Sequence, residues 1–158
     1  MPATTVSKTP YRVATEKDAL DVVFLTKRFV RESGNMSTLG FDQGKVFDLF
    51  LDIVEREDFL VLVKEHEEEI VGMFVAFVVP CFFSEKVQAV ELAWYTDKEH
   101  RGPRDNLKVI KMYEEWAKER GAVMVNLINL DQLNGEKVGR FYNKNGYKIV
   151  ENTFVKEI

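Results

Sequence analysis

Residues 91–121, ELAWYTDKEHRGPRDNLKVIKMYEEWAKERG, decide the fold. The stretch opens on an apolar and aromatic run, Leu92, Ala93, Trp94 and Tyr95, which predicts a strand. Polar, turn-forming residues follow from Thr96 to His100, and then Arg101, Gly102 and Pro103. After them Leu107, Ile110, Tyr113 and Ala117 recur at spacings of three and four, with Val109 and Trp116 widening the stripe. Lys108, Lys111, Glu114, Glu115, Lys118 and Glu119 fill much of the opposite face, and Gly121 is a helix stop. The pattern is strand, loop, amphipathic helix. Such a loop brings the unpaired backbone N–H groups of a helix start to one point, here beside Arg101 and Arg104. That is a place to hold a phosphate or another anion.

The rest of the chain arranges itself around this unit. Residues 1–9 read as a flexible tail, and 10–158 as one domain. Residues 11–14 predict a short strand. Thr15 and Asp18 form an approximate capping box for a helix through Leu20, Val23, Phe24 and Phe29. A small-residue loop at 34–40 leads to a second helix over 42–57. Residues 59–63 and 70–79 predict a strand hairpin around the acidic turn 65–69, and 87–95 a third strand. Beyond the central helix come a strand at 123–128, a short helix at 134–143, and closing strands at 147–150 and 153–156. The order β-α-α-β-β-β-α-β-α-β, with one further short strand, gives a mixed central α/β sheet with helices on both faces.

Composition narrows the class. The chain has 158 residues, enough for a full core, with 46% apolar and 30% charged residues. A net charge of −4 argues against a nucleic-acid surface, which needs a basic stripe. A single cysteine, Cys81, rules out an internal disulfide and fits a reducing, cytoplasmic setting. The first ten residues, MPATTVSKTP, hold no apolar signal region. The longest apolar run, 70–83, is interrupted by Pro80 and is shorter than the roughly 20 residues a bilayer requires. No His, Cys and carboxylate spacing reads as a metal site; His66 reads as solvated, and His100 as a neighbour of the loop.

Three features together resemble the GNAT acetyltransferase superfamily over essentially the whole length: the order of elements; the strand, loop and helix with HRG at 100–102 and EWAKERGA at 115–122; and FYNKNGY at 141–147. The resemblance implies acetyl-CoA as cosubstrate, its pyrophosphate held on the loop Arg101, Gly102, Pro103, Arg104, Asp105, Asn106 and Leu107. The family pattern has small residues where this chain has Arg104 and Asn106. Glycine there lets backbone approach phosphate without a Cβ in between. Arg104 offers a charge-assisted contact in return, whereas Asp105 repels the anion unless its side chain caps the helix instead. The resemblance also implies that the strand edge at Trp94, Tyr95 and Thr96 hydrogen-bonds the pantetheine arm and thioester. Tyr142 matches the tyrosine that protonates the leaving thiolate. Glu91 stands where several members keep a carboxylate that takes a proton from the amine.

Plain readings stand beside these. Glu91 is otherwise a solvent-facing strand residue, Tyr142 a packed aromatic, and Arg101 and Arg104 solvated cations. Trp94 and Tyr95 alternate, so one belongs to the core and the other lines an acceptor cleft. The expected function is acetyl-CoA-dependent N-acetylation of a primary amine, on a small molecule or protein, by direct attack. The alternative is a catalytically impaired GNAT-like domain acting as a protein-binding or regulatory module. No nucleic acid, membrane or metal is expected as a partner, and a homodimer stays open.

Overall fold

The computed structural model describes residues 10–130 and 134–158, without the side chains of 35–37. It divides into two compact units, Met1–Ile128 and Asn129–Ile158. The first unit is a five-stranded mixed sheet in the order β1-β2-β3-β4-β5. Its strands are β1 (Tyr11–Val13), β2 (Phe59–His66), β3 (Glu69–Pro80), β4 (Val87–Thr96) and β5 (Ala122–Asn126). The first four pair antiparallel in sequence, and β5 joins β4 in parallel after a helical crossover. The helices of this unit are α1 (Ala19–Glu32), α2 (Gln43–Ile53) and α3 (Pro103–Glu119).

Alternation along the strands separates two cores. Leu60 and Leu62 of β2, Phe74 and Ala76 of β3, and Ala89 of β4 cluster with Val109, Tyr113, Trp116 and Ala117 of α3. Val61, Val63 and Met73 face the other way, where the Thr26 hydroxyl of α1 meets the Met73 sulfur and Phe29 packs on Tyr95, ring centroids 6.1 Å apart. Both faces are therefore covered, which is why β2 and β3 read as continuous apolar runs rather than alternating ones.

Local chemistry sets the helix ends. The Asp18 carboxylate accepts the Thr15 N–H at 2.8 Å, and a 3-10 turn at Glu16–Asp18 leads into α1. Asp42 caps α2 by accepting the Lys45 N–H at 2.8 Å. Residues 34–39, expected as a plain loop, wind into a 3-10 segment. Gly121 ends α3 with φ +79, the left-handed conformation that a glycine adopts without a Cβ clash.

The second unit contains α4 (Gly135–Lys144). The closing strands expected at 147–150 and 153–156 are not formed: no strand follows α4 among the described residues. Their alternation is real, but a strand needs a ladder partner, and Ile149, Val150, Phe154 and Val155 are all more than two-thirds exposed. The expected tail at 1–9 lies outside the described residues.

The β2–β3 turn is built from the wrong residue types for its geometry. Glu67 (φ 49) and Glu68 (φ 67) both adopt positive φ, between the paired His66 and Glu69. A two-residue turn of this kind favours Asn-Gly. Replacing Glu67→Asn together with Glu68→Gly should raise unfolding free energy by about 1–2 kcal/mol, measured by denaturant titration, without altering the circular dichroism spectrum.

Candidate active site

The parallel pair β4–β5 parts before β4 ends. Its register runs from Val87 opposite Ala122 to Val90 opposite Asn126, while β4 continues six residues further, to Thr96. Side chains occupy the groups of β5 at and beyond the fork. The Asn126 amide donates to Gln88 Oε1 at 3.2 Å and to the Ala89 carbonyl at 3.4 Å. The Asn126 carbonyl accepts the Tyr113 hydroxyl at 3.1 Å. Two residues on, the Ile128 N–H donates to Glu91 Oε2 at 2.9 Å. The ladder is capped rather than frayed, and the edge of β4 from Glu91 to Thr96 is left without a strand from β5.

Glu91 owes its position to a bulge. Val75 of β3 pairs with Ala93 but Ala76 pairs with Glu91, so Leu92 is an extra residue in β4. The bulge puts Glu91 on the α3 face together with Trp94 and Thr96, an aiming device common beside active sites. Glu91 is only 5% exposed. Burial pushes its carboxyl up to about 8, against a small opposing pull from the Ile128 N–H. Burial also raises the Tyr113 phenol, with Glu91 adding to the effect.

Beyond β4, a 3-10 turn (Lys98–His100) leads to Gly102, the N-cap of α3, and Pro103 at its first position. Proline suits that place because its missing N–H is one the helix would not use. The N–H groups of Arg104 and Asp105 have no carbonyl partner within the helix, while Asn106 donates to the Gly102 carbonyl at 3.2 Å. A Cβ at Gly102 would meet nothing within 4 Å, so the backbone there is open to approach. Arg104 is exposed, and Leu107 is 37% exposed one turn along.

Arg101, expected to face the anion, gives its guanidinium to the other side. Its Nε donates to the Thr96 carbonyl at 2.6 Å, one terminal nitrogen to Glu32 Oε2 at 3.1 Å, and the group lies 5.5 Å over the Tyr95 ring. Tyr95 donates its hydroxyl to Glu32 Oε1 at 2.7 Å. Burial would raise the Glu32 carboxyl, but the hydrogen bonds from Tyr95 and Arg101 outweigh it and hold the group below its usual range. One turn earlier on α1, Arg28 takes both oxygens of Asp97 at 2.9 and 3.0 Å.

The three residues of the β4 edge all have packed side chains. Tyr95 lies against α1; Trp94 meets Phe74 edge-on at 5.4 Å; Thr96 Oγ1 lies 3.3 Å from the Tyr11 hydroxyl. Tyr95 is the buried one of the pair and Trp94 is half-buried, and past Val90 this edge of β4 has no strand from β5 beside its backbone groups. Tyr142 lies on α4 in the second unit, 9% exposed, its ring 6.0 Å from Tyr147 and 6.1 Å from Phe141. His66 is exposed, as expected, with its ring 4.7 Å from that of His100.

A parallel pair that opens ahead of a helix start points to a known group of proteins, and residues 28–147 match the sequence model of the acetyltransferase (GNAT) family. The chain belongs to the GNAT family. Solved structures share the fold. A transcriptional regulator from Bacillus halodurans C-125 superposes with a TM-score of 0.74 at 22% identity, covering 94% of this chain and 98% of that one. An aminoglycoside acetyltransferase from an uncultured soil metagenomic sample gives 0.71 at 18% identity, over 94% and 97%. A predicted acetyltransferase with acetyl-CoA from Clostridium acetobutylicum gives 0.71 at 17% identity, over 93% and 94%. No curated protein matches the chain. Among the described residues no cluster of three or more His, Cys, Asp or Glu could hold a metal ion, and no helix is long and apolar enough to cross a membrane.

Four residues that structure the GNAT fork and loop do not stand out in the sequence: Glu32, Lys64, Tyr113 and Asn126. Tyr113 reads as core by helical spacing, and its hydroxyl is the only sign of a second task. Glu91 is different, because burial makes it measurable. Its folded pKa lies above its unfolded value of 4.5. Below pH 4.5 both states hold the proton and burial of the neutral acid costs nothing extra. Between 4.5 and about 8 only the unfolded state ionises, so stability is lost as pH rises through that window. Glu91→Gln should therefore match wild type near pH 4 and become progressively more stable than it up to pH 8, approaching roughly 1.4 kcal/mol per pH unit as an upper limit. Paired thermal melts across that range measure the difference.

Proposed function

We propose that this GNAT protein is an acetyl-CoA-dependent N-acetyltransferase that acts on a primary amine, of a small molecule or a protein, by direct attack without a covalent enzyme intermediate. The observation that carries the reading is the fork: β4 runs on for six residues beyond its last pair with β5, and this edge leads to the first turn of α3. An extended pantetheine arm fits such an edge because its amides pair with strand backbone. The residues present also fit the pyrophosphate. The first-turn N–H groups of Arg104 and Asp105 and the exposed Arg104 supply donors and positive charge, Gly102 leaves its backbone open, and the Asp105 carboxylate is engaged by Lys64 at 2.9 Å. Bound acetyl-CoA supplies the thioester carbonyl that the amine attacks.

The chain's own groups then move protons. An ammonium is not nucleophilic until it loses one, and Glu91 is the base for that step. A carboxyl held at about 8 by burial is a far stronger base than an ordinary glutamate. Tyr142, from the family's signature, is the acid that returns a proton to the leaving thiolate. Arg101 acts in the reading through its contacts rather than on phosphate: it braces the end of β4 against α1.

Calorimetry with acetyl-CoA and transfer of a labelled acetyl group to a panel of amines test the reading, and absence of binding would end it. With an accepted amine, kcat/KM should rise between pH 7 and 9 as Glu91 ionises. Glu91→Gln should remove that limb and lower kcat by about 10²–10⁴-fold. Tyr142→Phe should lower kcat with little change in acetyl-CoA affinity, since a proton donor acts only as charge develops. A mutant with undiminished turnover would transfer the acid role to water or another group.

A further inference from the structure

Lys64 is a lysine almost fully out of solvent, 5% exposed near the end of β2. Burying an ammonium is costly unless its charge is matched and its protons are placed. Its Nζ meets Asp105 Oδ2 at 2.9 Å, donates to the His100 carbonyl, and lies 5.9 Å from the centre of the Tyr11 ring. His100 ends the 3-10 turn before the loop, and Asp105 is in the first turn of α3 after it. One ammonium thus spans both ends of the loop from His100 to Asp105. The space for it comes from Gly72, opposite Lys64 in β3. A Cβ there would approach Thr96 Oγ1 at 3.0 Å, Lys64 Cβ at 3.1 Å and the Tyr95 carbonyl at 3.3 Å.

Resting on the acetyl-CoA reading above, we infer that Lys64 is a positioning residue for the cosubstrate's phosphates: it draws the Asp105 carboxylate onto β2, neutralises it, and fixes the loop so that the first-turn N–H groups of α3 face the anion. Two effects combine. The first is electrostatic: without Lys64 the carboxylate stands at the helix start uncompensated, apart from Lys108 at 4.0 Å, and repels phosphate. The second is geometric: the loop carries Arg104 and Asn106 rather than small residues, so its backbone must be held in place to remain reachable.

The variants separate this role from simple packing. Lys64→Met fills similar volume without charge. It should weaken acetyl-CoA binding about tenfold, the scale of one lost charge-assisted contact, while kcat at saturation changes less than threefold. Lys64→Arg, which retains the charge, should lose less than Lys64→Met. Lys64→Met combined with Asp105→Asn removes the uncompensated carboxylate and should recover the electrostatic part of the lost affinity but not the geometric part; a residue important only for packing would show no recovery. A folded Lys64→Met with wild-type affinity, or a double variant no better than the single one, would overturn the inference and leave the acetyl-CoA reading intact. Wild-type protein that does not bind acetyl-CoA would overturn both. If Lys64→Met does not fold, Asp105→Asn alone decides: with Lys64 now uncompensated, binding should tighten at low salt and the gain should shrink as salt rises. Unchanged or weaker binding there overturns the inference.

Discussion

The structure depends on where β4 lets go of β5. Up to Val90 and Asn126 the two strands are an ordinary parallel pair. Past that point a continued ladder would have consumed the edge of β4, and the sheet would be closed. Side chains prevent it. Tyr113 occupies the Asn126 carbonyl and Glu91 occupies the Ile128 N–H, so the groups that would have extended the ladder already have partners. Backbone groups must be paired when buried, and these side chains pair the two on the β5 side of the fork. The Leu92 bulge contributes by turning Glu91 into that gap.

The loop behind the fork is fastened on both faces of the sheet by contacts of unequal weight. On the α1 side, Arg28 with Asp97 and Arg101 with Glu32 are partly exposed pairs, each worth little alone. Their geometry matters more than their energy, because Arg28 holds both Asp97 oxygens and Arg101 also holds the Thr96 carbonyl. On the α3 side, Lys64 is buried, so breaking its pair leaves a stranded charge, a much larger effect than losing an exposed one.

Much of this was legible in the sequence where period and punctuation agree. The amphipathic stripe of α3, its stop at Gly121, the hairpin of β2 and β3, and the burial of both faces of β3 follow from spacing alone. The closing strands did not follow: alternation at 147–150 and 153–156 describes a segment able to pair, not one that has found an edge. The contacts of Arg101 were not legible: a cation beside a helix start attracts a phosphate reading, and nothing local reveals Glu32, sixty-nine residues away in sequence and paired with it. Lys64 was hidden for a similar reason. A lysine entering an acidic turn reads as solvated, and only the glycine across from it on β3 hints that its side chain is folded in. The place of Glu91 was legible only through family likeness, since its burial depends on a one-residue bulge that no periodicity announces.

Arg28 and Glu32 are one helical turn apart on α1, and they hold two points of the same loop. A rigid rod pinned twice along one line cannot slide or roll without dragging what it is pinned to. The segment from 97 to 101 is therefore tied at two points to the C-terminal turn of α1. The 3-10 segment Gly34–Leu39 begins two residues past Glu32, directly beyond the pinned end of the helix.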